Sequence, residues 1–321
     1  MDGRRKGGQD DLMRKPNPKI LPFVLAWLHR RRRIWPDATA PVESGPDFLC
    51  VGMVKAATDW LFDQLSHHPD FWIPPVKELR YLNLAVPRLD NTLRKLAQYR
   101  NRRRPPERDA DLAFLKEAAA LAERPRDLEK YAALFRFKGE RLSGDISPGY
   151  YDLDGDTIGA IARCFPQIKI VLMVREPLER VWSHLSMRSR EGHFDAGLLA
   201  DVNAFARWFA QSEVRRACFA THVARRWAEF APDVAFRHFF FDEVEADARA
   251  PRAKIIEFLG GDARQKSGKL AADYNRKANL PKLPLPEPVR AFLLAELAEE
   301  IRGCANLFGG PAARWPARYG L

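Results

Sequence analysis

The sequence lacks a long hydrophobic run and has few cysteines. Its N-terminal apolar stretch, residues 21–28, contains Pro22 and ends at a run of arginines. It is too short to span a bilayer, and no small-residue cleavage site follows it. No CxxC motif and no neighbouring histidine pair accompany the four cysteines, which argues against a disulfide framework or a zinc site: Cys50, Cys164, Cys218 and Cys304. We therefore expect a soluble, cytoplasmic protein from a reducing compartment.

Most of the excess of positive over negative charge lies at the N-terminus. The 321 residues carry a net charge of +11, and the first 35 contain ten Lys/Arg against three Asp, so +7 of the total lies there. The rest of the chain is close to neutral, which argues against nucleic-acid binding by the folded body. Hydrophobic (46%) and charged (30%) fractions are those of a globular protein and exclude a disordered or fibrous one.

The distribution of residue types predicts one main domain with an arm. Residues 1–45, rich in Arg, Pro, Gly and Asp, read as a flexible basic arm, for which we expect at most a peripheral contact with anionic lipid. Residues 46–321 form the predicted domain. Within it, residues 88–137 are highly charged and helical in pattern, and we interpret them as a helical insertion over the core.

Apolar runs that alternate with helical patterns predict an α/β fold. Residues 48–54 and 169–174 are continuous apolar runs typical of buried strands, and residues 234–240 resemble a last strand. Helical patterns separate them, including one opened by Pro177 and one ended at Gly260. Such alternation indicates three layers, with a central, mostly parallel sheet between helices.

The segment from Gly52 to Trp60 joins the first strand to the first helix. Free N–H groups at the start of that helix favour phosphate or sulfate, and Lys55 adds a positive charge. The loop is not a Walker A motif, because GxxxxGK[ST] is absent. A turn with a solvated lysine is the plainer alternative.

Two further segments belong to the same edge of the predicted sheet. Arg175 follows the second strand and Ser183 lies on the next helix, which suits a second phosphate; an Arg175–Glu179 ion pair is the alternative. Glu78 follows the first helix and can return to the site as a proton acceptor, unless it is merely a solvated loop charge.

Taken together, these segments resemble the sulfotransferases that use 3′-phosphoadenylyl sulfate (PAPS). Lys55–Leu61 is similar to the family's K-x-G-T-T-x-L loop, and Arg175–Ser183 to its R-[DN]-P-x-x-R-x-x-S segment. Pro-Pro-Val-Lys-Glu, ending at Glu78, resembles the bacterial and glycosaminoglycan-type members. The resemblance covers roughly residues 46–315 and implies a P-loop NTPase-like sulfotransferase fold.

The resemblance also implies roles for individual residues. Lys55 would stabilise the leaving phosphate, and Glu78 would be the general base. Arg175 and Ser183 would hold the 3′-phosphate, and no metal would be needed. The 5′-phosphosulfate would lie against the loop residues Ala56, Ala57, Thr58 and Asp59.

Other positions are assigned on weaker parts of the same resemblance. Trp60 would lie against the adenine, although core packing is the alternative, and Phe240 or Phe241 would border it. Arg276 and Lys277 resemble a basic loop that closes over the donor. Arg80 and His184 are candidate acceptor contacts, with His184 more simply interpreted as a helix histidine.

The sequence departs from the family pattern at four positions. Ala57 replaces a glycine, so the backbone must avoid positive φ or accept strain. Asp59 replaces a threonine and is tolerable if its side chain caps the helix. Ile146 stands where relatives often have lysine, and Arg80 replaces a frequent histidine.

The leading hypothesis is a PAPS-dependent sulfotransferase acting on a small-molecule, carbohydrate or lipid acceptor. A P-loop kinase-like phosphotransferase and a non-catalytic protein that binds adenosine 3′,5′-bisphosphate (PAP) are the alternatives. The sequence leaves the acceptor and the oligomeric state open.

Overall fold

Four parallel strands form the sheet that organises the chain. The structure, a computed structural model, describes residues 41–42, 44–83, 107–121, 127–265 and 282–321. The strands are β1 (Phe48–Cys50), β2 (Gly144–Ile146), β3 (Lys169–Val174) and β4 (Ala235–Phe240). Their order across the sheet is β2-β1-β3-β4, and every neighbouring pair is parallel. Helices cover both faces, so the predicted α/β class is confirmed.

Strand β3 lies at the centre of the hydrophobic core. Residues from Ile170 to Val174 are fully buried, as a continuous apolar run in a covered parallel sheet requires. Strand β1 pairs with β3 along its whole length, with Cys50 opposite Val171. The carboxyl ends of these two strands therefore emerge side by side.

The helices begin and end where the local sequence provides caps. Glu176 accepts hydrogen bonds from the backbone N–H groups of Leu178 (2.9 Å) and Glu179 (2.7 Å), directly ahead of a helix opened by Pro177. The helices are α1 (Thr58–Ser66), α2 (Glu107–Leu121), α3 (Leu128–Ala133), α4 (Gly155–Cys164), α5 (Pro177–Arg190), α6 (Val202–Gln211), α7 (Glu213–Arg216), α8 (Ala220–Phe230), α9 (Phe241–Ala246), α10 (Arg249–Leu259) and α11 (Glu287–Phe308).

Several predicted boundaries differ from those observed. The first strand was expected over 48–54, but the regular strand ends at Cys50, although Val51 and Met53 still donate backbone hydrogen bonds to β3. The C-terminal helix extends well beyond the expected 291–301. Most of the N-terminal arm and residues 88–106 of the helical insertion lie outside the described residues. Among the described helices, none is both long and apolar enough to cross a bilayer.

Candidate active site

The loop between β1 and α1 has an unusual backbone. Lys55 (φ 68°) and Ala57 (φ 67°) both adopt the left-handed conformation, which side chains disfavour. Ala57 therefore adopts a positive φ and carries backbone strain. This was one of the two outcomes expected from the replacement of a glycine at this position. Ala57 is also the N-cap of α1 and offers no side-chain hydrogen bond. The Asp59 carboxylate, for which capping the helix was one tolerable arrangement, forms a salt bridge with Lys77.

The ammonium group of Lys55 lies in an enclosed position with a poor partner. Its Nζ is 3.5 Å from the thioether sulfur of Met187, and it forms no salt bridge with any described residue. Burial lowers the pKa of this ammonium group, and the nearby cations Arg190 and Arg175 lower it further against the opposing charge of Asp59. A partly buried cation beside other cations favours the binding of an anion.

Arg175 joins the end of β3 to the same loop. Its Nη1 donates a hydrogen bond to the carbonyl oxygen of Lys55 (3.2 Å), 120 positions earlier in the chain. The guanidinium lies 4.1 Å above the ring of Phe241 and 3.6 Å from the carboxylate of Glu179. Its Nε is buried without a hydrogen-bond partner among the described residues. Two of the predicted motifs therefore meet at one edge of the sheet.

Arg180 is a further loop contact that the sequence reasoning missed. The side chain is buried, and its Nη1 donates to the carbonyl oxygen of Val54 (3.4 Å). Its Nη2 contacts the carbonyl of Val214 (3.2 Å) and the sulfur of Cys218 (3.1 Å). Arg180 is the second arginine of the Arg175–Ser183 segment. The motif therefore indicated this residue, but no role was predicted for it.

Glu78 lies on a strained loop and is surrounded by cations. Both Glu78 (φ 64°) and Arg80 (φ 52°) are left-handed. The Glu78 carboxylate is 3.2 Å from the Nζ of Lys77 and 3.7 Å from the Nε of Arg80. Its side chain is about one-third exposed and is paired with these two cations.

A buried carboxylate is connected to the Glu78 loop through hydrogen bonds. Asp145 accepts hydrogen bonds from the hydroxyls of Tyr150 (2.5 Å), Tyr131 (3.1 Å) and Ser147 (2.7 Å). Ser147 in turn accepts the N–H of Arg80 (3.1 Å). Burial raises the pKa of Asp145 to about 6, because the hydrogen bonds only partly offset the desolvation of the carboxylate.

The predicted residues around the loop differ in accessibility. Ala56, Thr58 and Trp60 are buried, and Trp60 belongs to the hydrophobic core. Ser183 is half-buried on α5. Ile146 is buried at the end of β2, and its carbonyl accepts the N–H of Glu78 (3.2 Å).

His184 is enclosed on the same helix as Ser183. Its Nδ1 is buried and has no hydrogen-bond partner among the described residues. Burial lowers its pKa to about 3, helped by the charges of Arg180, Arg188 and Lys55. The imidazole is therefore neutral at physiological pH. The interpretation as a histidine with satisfied hydrogen bonds does not hold.

Two predicted donor contacts, Arg276 and Lys277, lie outside the described residues. Within the described part of the chain, no three His, Cys, Asp or Glu side chains are grouped so that they could hold a metal ion.

A model of the sulfotransferase family matches residues 46–264, about two-thirds of the chain. The chain belongs to the sulfotransferase family. This confirms the family predicted from the motifs, and with it a sulfotransferase activity. No curated protein matches this sulfotransferase in sequence.

The fold is that of a solved sulfotransferase structure. A sulfotransferase from Alicyclobacillus acidocaldarius is 22% identical, with a TM-score of 0.59 over 84% of this chain and 98% of that one. The sulfotransferase domain of the Synechococcus PCC 7002 olefin synthase is 20% identical, with a TM-score of 0.48 over 82% of this chain and 97% of that domain.

Proposed function

We propose that this sulfotransferase takes its sulfuryl group from PAPS and that the donor lies against the loop between β1 and α1. The observation that carries the proposal is the Lys55 ammonium, which is enclosed beside Arg175 and forms no salt bridge with a described residue. An anionic phosphosulfate would supply the missing counter-charge. The N–H groups of Ala56, Ala57, Thr58 and Asp59 at the start of α1 would add hydrogen bonds.

The transfer itself would be an in-line displacement. The acceptor oxygen attacks sulfur, the bond from sulfur to the bridging oxygen breaks, and its electron pair passes to the 5′-phosphate of PAP. Glu78 takes the acceptor proton, and Lys55 stabilises the charge that develops on the leaving phosphate. Arg175 and Ser183 would hold the 3′-phosphate, with Phe241, Arg276 and Lys277 around the nucleotide.

We propose a hydroxyl of a carbohydrate or lipid as the acceptor, an amine being the alternative, with the helical insertion at residues 88–137 as a specificity element. The described part of this insertion contacts the Glu78 loop. The hydroxyl of Tyr81 accepts the N–H of Asp127 (2.9 Å), and the ring of Tyr81 stacks on Tyr131 with 5.2 Å between centroids. Substitutions in the insertion would therefore change the surroundings of Glu78.

The proposal is tested by thermal unfolding with PAP, AMP or magnesium-ATP. A ligand that binds only the folded state stabilises it by about 2.7 kcal/mol at a hundredfold excess over its Kd. We expect a clear shift with PAP, and a smaller one with AMP because it lacks the 3′-phosphate. A shift with magnesium-ATP alone would favour the phosphotransferase alternative, and no shift with PAP would overturn the donor assignment. PAP binding without transfer to any acceptor would favour a non-catalytic protein.

A further inference from the structure

A cavity of about 500 Å³ lies beside the candidate active site, between α7, α8 and the C-terminal half of α11. Four arginines and a histidine line it, together with one tyrosine: Arg215, Arg216, Arg225, Arg226, His222 and Tyr151. This cluster is not part of any motif that identified the family, and neither Lys55 nor Glu78 lies in the cavity wall.

Most of the arginines have no carboxylate partner. Arg215 forms a salt bridge with Glu296 (3.4 Å), whereas Arg216, Arg225 and Arg226 form none with a described residue. His222 and Arg226 are four positions apart on α8, so they share one face of that helix. An anion on this face can contact both side chains.

Three carboxyl groups also line the cavity. Glu300 is buried at its base and accepts hydrogen bonds from the N–H (3.0 Å) and the hydroxyl (2.5 Å) of Thr221. Asp152 and Glu299 form no salt bridge with a described residue. Three arginines without a salt bridge therefore face three carboxyl groups, and an anion would be held by the guanidinium groups themselves.

The arginines dominate the field at His222. Burial lowers the pKa of His222, and Arg226 and Arg225 lower it further, each by more than the opposing carboxylates of Asp152 and Glu229 raise it. A bound anion would raise the pKa again, so His222 provides a spectroscopic reporter inside the cavity.

Tyr151 belongs to the cavity wall and also lies near the loop after β1. A β-carbon added at Gly52, in the loop after β1, would lie 3.8 Å from the Cβ of Tyr151. Burial raises the pKa of the Tyr151 phenol to about 12, and the charges of Arg216 and Arg80 both oppose this rise. The phenol is therefore within the electrostatic reach of an arginine of the cavity and of an arginine of the Glu78 loop.

We propose that this cavity binds an anionic group of the acceptor, a carboxylate or an ester sulfate, while a hydroxyl of the same acceptor reaches Glu78. Guanidinium groups suit this ligand because their N–H donors match the paired oxygens of such anions. The inference rests on the proposed function, since it assigns the cavity to the acceptor of that reaction.

The test compares three glycosides on the full chain saturated with PAP: 4-nitrophenyl β-D-glucuronide, 4-nitrophenyl β-D-glucoside 6-sulfate and the neutral 4-nitrophenyl β-D-glucoside. Affinities come from titration of the His222 ring resonances by NMR. We expect at least one charged glycoside to bind tenfold or more tightly than the neutral one and to raise the pKa of His222. Equal affinity for all three would overturn the proposal.

Variants locate the effect in the cavity. The double variant Arg216→Gln, Arg225→Gln should reduce the preference for charged glycosides below threefold, whereas Arg207→Gln, an exposed arginine on α6, should leave it intact. A preference that survives the double variant would contradict the assignment. PAP binding is measured separately by thermal shift. If PAP fails to bind, the donor assignment fails. The same titration without PAP still measures the affinity of the cavity for the three glycosides.

Discussion

The ammonium group of Lys77 lies 2.9 Å from the carboxylate of Asp59 and 3.2 Å from that of Glu78. One cation therefore joins the first turn of α1 to the loop that carries the proposed base. Burial lowers the pKa of Lys77, but the two carboxylates outweigh that effect and raise it overall. The negative charge of Asp59, which seemed unsuited to an anion site, is thus balanced within the structure.

Removing the Asp59 carboxylate should strengthen donor binding. In Asp59→Asn the proposed donor loop loses a negative charge while Lys77 remains, and we expect PAP to bind about fivefold more tightly, roughly 1 kcal/mol for a partly screened charge. Lys77→Met should have the opposite effect, and the double variant should return close to the wild-type Kd. Calorimetric titration with PAP measures all three. Unchanged affinity in both single variants would contradict this account.

Loss of the Lys55 charge should abolish transfer without unfolding the protein. We expect Lys55→Met to lower turnover at least about 100-fold, because the leaving phosphate loses its stabilising cation. The melting temperature should stay the same or rise, since burial disfavours this ammonium group. Release of PAP from PAPS gives the rate, with Lys254→Met, an exposed lysine on α10, as the matched control. Wild-type turnover in Lys55→Met would exclude the role given to this residue.

Glu78→Gln should separate chemistry from donor binding. The amide keeps a similar shape but cannot accept the acceptor proton, so turnover should fall about 100- to 10,000-fold. The Kd for PAP should change little. Glu257→Gln, at an exposed position on α10, should retain full turnover. If Glu78→Gln weakens PAP binding as strongly as it slows transfer, Glu78 is a donor contact and not the base.

His184 should make the stability of the protein depend on pH. Its pKa of about 3 in the folded state lies below the usual value of 6.5, so the unfolded chain binds the proton first as the pH falls. The contribution to stability is present above pH 6.5 and should decline by about 3 kcal/mol down to pH 4.5. Urea unfolding of the wild type and of His184→Gln between these pH values measures it. Parallel curves for the two proteins would contradict the prediction.

The left-handed backbone at Ala57 should be relieved by glycine. Ala57→Gly removes the steric cost of positive φ, about 1–2 kcal/mol, against a smaller entropic cost in the unfolded chain, so a net gain of about 1 kcal/mol is expected. Ala295→Gly, at an exposed helical position of α11, should destabilise by about the same amount. Urea unfolding compares the two variants, and destabilisation of both would show that the loop is unstrained.

The fold could be predicted from the sequence where a single local signal decided it. The apolar run of β3 and the proline at the start of α5 gave the positions of these two elements correctly. The first strand was predicted too long because buried apolar residues continue past Cys50, where the backbone still hydrogen-bonds to β3 but no longer forms a regular strand.

The site could be predicted only in part. The motifs indicated Lys55, Arg175 and Glu78, and the hydrogen bond from Arg175 to the Lys55 carbonyl agrees with the expected proximity of these two residues. The pairing of Asp59 with Lys77 had no signal, because the segment that joins them is irregular and has no period that fixes side-chain directions. The arginines of α7 and α8 have the spacing of a solvated helix face, so the cavity they line could not be expected.

The order of strands in the sheet has a consequence for biosynthesis. Strand β1 is an inner strand, and both of its neighbours, β2 and β3, come much later in the chain. A ribosome adds about 5–20 residues per second, so the apolar β1 segment emerges and waits for roughly 5–20 s before β2 exists. Arg175, which holds the Lys55 carbonyl, is translated later still. The proposed donor loop is thus among the first parts of the site to be translated and among the last to take its final conformation. Chaperones would bind the nascent chain while β1 is still unpaired.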